Sequence, residues 1–187
     1  IGIYPDFLIC RTEHKIKESI FKKLELYSNL KRTRMIEAKH VQSIYEIPLL
    51  LINQHFNIEL SNCFNIPQKI NMSRWISFNH QIKNTTHSIT IGIVGKYVEL
   101  GDSYKSLVDA LYHSGIHKSC SITIEWINAR NITKSEIQSK LYTILDSVDG
   151  VVIPGGFGDT GTEIMIDAIQ YIRENNIPFL GICLGMQ

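Results

Sequence analysis

Phe179-Leu180-Gly181-Ile182-Cys183-Leu184-Gly185-Met186-Gln187 is the stretch on which the reading of this chain turns. Its first residues make a short apolar strand. A cysteine follows, flanked at i−2 and i+2 by glycine, and a new element begins behind it. This is the pattern of a nucleophile elbow with Cys in place of Ser: a sharp strand-to-helix turn that pushes one side chain out at the top of a parallel sheet. Gly181 and Gly185 suit such a turn because it leaves no room for Cβ atoms beside the nucleophile. A helix starting at Leu184 would aim free N–H groups at the sulfur and favour thiolate, the reactive form. The spacing is short, and a buried strand ending in a glycine turn with a core cysteine fits the same letters.

A second stretch, Val151-Val152-Ile153-Pro154-Gly155-Gly156-Phe157-Gly158, is also a buried strand running into a glycine turn. Two strand ends on one edge of a parallel sheet face the same crevice, where open α/β sheets bind ligands. Backbone N–H groups around Gly155 and Gly156, with that of Leu184, can hold the oxyanion formed when Cys183 attacks a carbonyl. One such donor is worth roughly 3 kcal/mol of barrier.

Working back from these turns, strands are expected at Ile89–Val94, Ser121–Ile127, Val151–Ile153 and Pro178–Cys183. Helices are expected between them, at about Ser103–Ser114 with Gly115 as its stop, at Asn131–Leu145 with a Thr133/Glu136 capping box, and at Thr162–Glu174. Alternation of this kind implies a parallel doubly wound, flavodoxin-like α/β sheet with right-handed crossovers. The loop residues Asp102, Tyr104 and Lys105 serve equally as crevice groups or as helix caps, and Gly95-Lys96 lacks the spacing of a phosphate-binding loop.

The front of the chain is a separate α/β piece. Phe7–Cys10 is a strand, Lys15–Lys22 a helix with Ile16 and Ile20 on one face, and Met35-Ile36 a further short strand. Lys23–Tyr27 suits either a strand, through alternating Leu24 and Leu26, or a continuation of the helix. Gln42–Asn53 reads as a helix with Pro48 near its start, or as an irregular link between two short helices. Residues 61–88 are rich in Asn, Ser, Gln, Thr and His. They form a linker carrying one amphipathic helix near Met72–Ile82, laid on a domain surface by Trp75.

PGGFG at 154–158 and GICLGMQ at 181–187 resemble the class I (triad) glutamine amidotransferases. IGIVGKYVELGDSYKSLVDAL at 91–111 more narrowly resembles the glutaminase half of the CTP synthase family, and GIYPDFLICRTEHKIKE and VQSIYEIPLLL resemble the end of its synthetase domain. The resemblance implies a division into 1–60 as the tail of a nucleotide-binding synthetase domain, 61–88 as linker, and 89–187 as the first part of the glutaminase, truncated behind the nucleophile. It also implies that Cys183 attacks the side-chain amide of glutamine and releases ammonia. Gly156, Leu184, Gly185, Met186 and Gln187 match the glutamine-holding positions. Lys23 matches a lysine on the phosphates of UTP. Lys39, His40 and Val41 match the stretch beside the ATP base, with His40 where many members carry aspartate. ATP with Mg²⁺, GTP as activator and a homotetramer follow from the same resemblance, and no Mg²⁺ ligand is matched; a cytoplasmic setting is expected from four widely spaced cysteines with no secretory signal.

The thiol needs a base, in this family a His-x-Glu pair, and none of the seven histidines stands in that motif. The expectation is that these 187 residues alone neither hydrolyse glutamine nor make CTP. Other readings compete: another class I amidotransferase of GMP synthetase type, or a non-enzymatic flavodoxin-like module with a structural cysteine. A net charge of +1 argues against nucleic-acid binding, and no apolar run approaches the ~20 residues of a membrane span. The cysteines Cys10, Cys63, Cys120 and Cys183 show no metal-ligand spacing and suit reduced thiols.

Overall fold

A computed structural model describes residues 4–187; residues 1–3, which begin the first resembling stretch, lie outside the described part. The chain divides into two compact units, Ile1–His80 and Gln81–Gln187. Among the described residues no helix is long and apolar enough to cross a membrane.

In the first unit β1 (Leu8–Thr12) and β2 (Met35–Lys39) pair in parallel, Leu8 opposite Met35 and Thr12 opposite Lys39. The crossover is α1 (Glu18–Ser28). Helix and strands meet in a small core of Phe21, Leu30 and Met35, packed by Leu8, Ile16 and Leu24. The Arg32 guanidinium lies 3.5 Å from the centroid of the Phe21 ring. The structure corrects the front of the sequence reading. The Ile16 amide donates to the Glu37 carboxylate at 2.8 Å, so the helix starts only at Glu18. It then runs on through Lys23–Tyr27, so the helical alternative for that stretch holds and the strand does not. Burial decides this: Phe21 and Leu24, three apart, face the core, while Leu26 and Tyr27 are exposed. Ile20, expected on the inner face, is half exposed. Asn29 closes the helix in the left-handed region at φ 55°, its N–H donating to Glu25 O.

A 3₁₀ turn (Ile44–Glu46) leads into α2 (Ile47–Asn53), with Pro48 in its first turn, and α3 (Phe56–Phe64). The link between short helices was therefore the correct alternative for Gln42–Asn53. Gln54 ties α2 to β2, its side-chain amide bonding both Glu37 N and Glu37 O at 2.9 Å. The amphipathic helix appears as α4 (Ser73–Lys83). Trp75 docks it: the indole N–H donates to Tyr45 O at 2.7 Å, and Asn79 Nδ2 donates to the same carbonyl at 2.8 Å. The Tyr45 ring meets Phe78 edge-on at 5.1 Å.

The second unit is a four-stranded parallel sheet in the order β4-β3-β5-β6. The strands are β3 (His87–Gly95), β4 (Cys120–Asn128), β5 (Gly150–Ile153) and β6 (Phe179–Gly181). From β3 the chain first passes outward to β4, then returns to add β5 and β6 on the other side. The reversal leaves a crevice beyond the carboxyl ends of β3 and β5, the place where doubly wound sheets bind ligands. Ile93, Val94, Ile127, Val151, Val152 and Ile153 are buried, as strands covered on both faces require. α7 (Thr162–Glu174) covers one face with Ile164, Met165, Ala168 and Ile172.

Two helices depart from the sequence reading. α5 (Lys105–His117) passes straight through Gly115, which was expected to stop it. That glycine answers to packing instead. A Cβ there would lie 2.7 Å from Cys120 O and 2.6 Å from Ile122 Cγ1, so its absence lets α5 sit close on β4. Gly115→Ala is normally favourable in a helix interior by up to about 1 kcal/mol. Here it is expected to destabilise by about 1–3 kcal/mol, read from the denaturant midpoint, because the clash is partly with backbone.

The other departure is Asn131–Leu145, which is a 3₁₀ turn (Lys134–Glu136), a π-helical turn (Ile137–Tyr142) and a short α6 (Thr143–Leu145). Its capping box is present. The Lys140 ammonium, then the hydroxyl and N–H of Thr133, hold the Glu136 carboxyl at about 2.

Candidate active site

The site lies in the second unit, at the carboxyl ends of β3, β5 and β6. β6 pairs with β5, Ile153 opposite Gly181, and Ile182 N donates to Ile153 O at 3.0 Å. That bond holds the chain against the sheet up to the residue before the thiol. Ile182 is extended, and Cys183 then turns to φ 54°. A left-handed φ is uncommon for a residue with a Cβ and costs roughly 1–2 kcal/mol. Cys183 holds it because both neighbours are clamped. A Cβ on Gly181 would lie 2.2 Å from Gly185 O, and one on Gly185 would lie 2.1 Å from Ile153 O. No side chain fits at either position. The elbow is thus a backbone-on-backbone turn, and its strained residue points outward: Cys183 is exposed.

The expected helix behind Cys183 is, within the described residues, a single 3₁₀ turn over Cys183–Gly185. It is closed by Gly185 N to Ile182 O and Met186 N to Cys183 O, both at 3.0 Å.

The second glycine turn stands beside the thiol. A Cβ on Gly155 would lie 3.6 Å from Cys183 Sγ and 3.3 Å from its Cβ. A Cβ on Gly156 would lie 3.5 Å from Leu184 Cδ2 and 3.2 Å from Lys96 Cδ. Cys183, Gly155, Gly156 and Leu184, matched separately along the chain, thus meet at one point. The sulfur is neither buried in apolar packing nor remote from the peptide groups of the other turn, the two outcomes that would have removed it as a nucleophile. Gly185 is buried under Ile153 O, and Met186 and Gln187 are exposed beyond the turn.

The remaining sequence candidates belong to the first unit. Lys23 is exposed on α1. Lys39 ends β2 and is exposed; His40, also exposed, donates its N–H to Thr12 O at 2.9 Å; Val41 is half-buried.

Sequence reasoning missed the residues around the Gly155-Gly156 turn. Lys96 was weighed only as a failed phosphate loop, yet it is 2% exposed. Its ammonium donates to Gly158 O and, at 2.7 Å, to Thr162 Oγ1. The Tyr97 hydroxyl accepts from Phe157 N at 3.0 Å and donates to Phe157 O at 3.3 Å. Tyr104, one of the loop candidates, is buried, and its hydroxyl accepts from Lys96 N and Tyr97 N at 3.1 and 3.3 Å. Nothing in local spacing joins residues 96–104 to 156–162. The nearest signal was a lysine continuing an apolar strand at the sheet's switch point.

Comparison with known proteins bears on both units. Residues 99–187 match the family model "Glutamine amidotransferase class-I", and residues 1–66 match "CTP synthase N-terminus". The whole chain is 42% identical to CTP synthases of Maridesulfovibrio salexigens and Clostridium acetobutylicum, each over 188 residues and 34% of the relative. It is 43% identical, over 190 residues and 35% of the relative, to that of Methanocaldococcus jannaschii. The chain therefore spans about a third of the length of the curated relatives it matches. Among solved structures, a Trypanosoma brucei CTPS glutaminase domain with bound acivicin is similar at 33% identity and a TM-score of 0.49, covering 53% of this chain and 38% of its own.

Proposed function

This chain belongs to the CTP synthase family, and we propose that it supplies the nucleophile and oxyanion-binding turns of a glutaminase, with part of the adjoining synthetase, to a longer parent enzyme. The observation that carries this is Cys183, exposed and strained at φ 54°, with its sulfur against the Gly155 turn.

In this reading the thiolate of Cys183 attacks the side-chain amide carbon of glutamine. The carbonyl electron pair moves to oxygen, where the amides of Gly155 or Gly156 and of Leu184 stabilise it. Collapse of the adduct breaks the C–N bond, the nitrogen takes up a proton and leaves as ammonia, and water hydrolyses the thioester to glutamate. The turn at Gly156 and Leu184–Gln187 holds the substrate. The proton-transferring histidine and its carboxylate come from elsewhere in the parent, since no His-x-Glu stands in these residues.

The ammonia displaces phosphate from UTP that ATP has phosphorylated on O4, giving CTP. Lys23 would contact the UTP phosphates, and Lys39, His40 and Val41 the ATP base, the contact at His40 being through its backbone. Mg²⁺ would serve the ATP step. Among the described residues no group of three or more His, Cys, Asp or Glu is placed to hold a metal, so no residue here is assigned to it. GTP activation, a homotetramer and a cytoplasmic setting belong to this whole-enzyme reading.

The test is to treat the full-length parent with a glutamine-analogue electrophile and map the adduct. Modification is expected at Cys183, with loss of glutamine-dependent but not ammonia-dependent CTP formation. An unmodified Cys183 in inactivated enzyme would overturn the assignment. UTP-dependent ATP hydrolysis separates this reading from a GMP synthetase-type enzyme.

A further inference from the structure

The Gly155–Gly158 turn is exposed over Phe157–Asp159 and is not itself part of a helix or strand. A turn that must present peptide N–H groups to a developing oxyanion within a fraction of an ångström needs external support. β3 provides it just beyond its end. The Lys96 ammonium and the Thr162 hydroxyl both donate to Gly158 O, and Lys96 Nζ also donates to Thr162 Oγ1. Gly158 takes φ 72°, so its carbonyl is turned by a backbone conformation that favours glycine. One residue on, the Tyr97 hydroxyl bonds both backbone groups of Phe157. The buried Tyr104 hydroxyl in turn holds the amides of Lys96 and Tyr97.

The energetics point the same way. Burying an ammonium costs several kcal/mol unless it is well compensated. Lys96 has no ion pair among the described residues, and its compensation is two neutral oxygens, both on or beside the turn. A methionine of similar length would fill the space without that cost. Among the described residues its bonds go to Gly158 O, in the loop beside Cys183, and to Thr162 at the start of α7.

We propose that Lys96, Tyr97 and Thr162 form a clamp that positions the Gly155–Gly158 turn for oxyanion stabilisation; they are positioning residues and do not touch the substrate. This rests on the glutaminase reading of Cys183, and the experiment separates the two. In the full-length parent, glutamine hydrolysis and alkylation of Cys183 by iodoacetamide are measured side by side. Alkylation of a thiolate develops no oxyanion, whereas amide hydrolysis does. Thr162→Val and Tyr97→Phe are each expected to lower kcat/KM for glutamine hydrolysis about 10-fold, mainly through kcat, and Lys96→Met about 100-fold. The alkylation rate should stay within about twofold, and Thr162→Ser, which keeps the hydroxyl, should restore hydrolysis. Equal loss of alkylation and hydrolysis, or full hydrolysis in Lys96→Met and Tyr97→Phe, would sink the clamp. A wild-type enzyme that alkylates but never hydrolyses glutamine would instead sink the glutaminase reading.

Discussion

Cys183→Gly is expected to make the protein more stable and the parent enzyme inactive with glutamine. The residue sits at φ 54°, where an L-residue is strained by roughly 1–2 kcal/mol. Glycine relieves that strain but gives back part of it, about 0.5–1 kcal/mol, in unfolded-chain entropy. A net gain of about 0.5–1 kcal/mol should appear as a higher denaturant midpoint. Loss of the sulfur removes covalent catalysis, so glutamine hydrolysis should fall by at least about 10⁴-fold, while ammonia-dependent CTP formation continues. Cys183→Ser separates the two effects, keeping the strain and losing most of the activity. A structural cysteine would behave oppositely: removing it would cost stability and leave any activity intact. Strain stored at one exposed residue and held by its neighbours is the mark of a site kept for function.

Gly185→Ala should be the most damaging single methyl group in the second unit. The added Cβ would be 2.1 Å from Ile153 O and 2.8 Å from Ile153 C, backbone atoms of the central strand β5 that have nowhere to go. Either β6 leaves β5, losing the Ile182 N to Ile153 O bond, or the elbow opens. A loss of about 3 kcal/mol or more is expected, with glutamine hydrolysis falling by at least about 10²-fold even in enzyme that remains folded. Gly155→Ala is the informative contrast. Its Cβ meets only the Cys183 side chain, at 3.3 Å and 3.6 Å, so the fold should survive while the thiol is displaced. Thermal midpoints and glutamine kinetics on the two variants check this; equal destabilisation by both would show that the elbow is not the rigid part.

Much of the second unit was legible because its signals are local. Thr162–Glu174 was read to the residue, since its apolar positions recur at helical spacing. The two glycine turns were legible because a turn without room for Cβ atoms admits only glycine. The misreadings arose where burial elsewhere overruled a local preference. Lys23–Tyr27 alternates like a strand, yet Phe21 and Leu24 are held by Met35 and Leu8 across the crossover, and the helix continues. Gly115 resembles a helix stop, but the neighbour that requires it, Cys120 O, is contributed by the next strand.

The order of strands and helices, the glycine-flanked cysteine and its companion turn were written in residue spacing. Local sterics and apolar periodicity act over a few neighbours, and the chain carries them on its own. The strained φ of Cys183, the distance from its sulfur to the Gly155 turn and the buried Lys96 beneath that turn were not. They arise because parallel pairing of β3, β5 and β6 lays their ends side by side. Segments nearly sixty residues or more apart in the chain, at 96–97 and 155–162, then meet there, which no short-range pattern encodes.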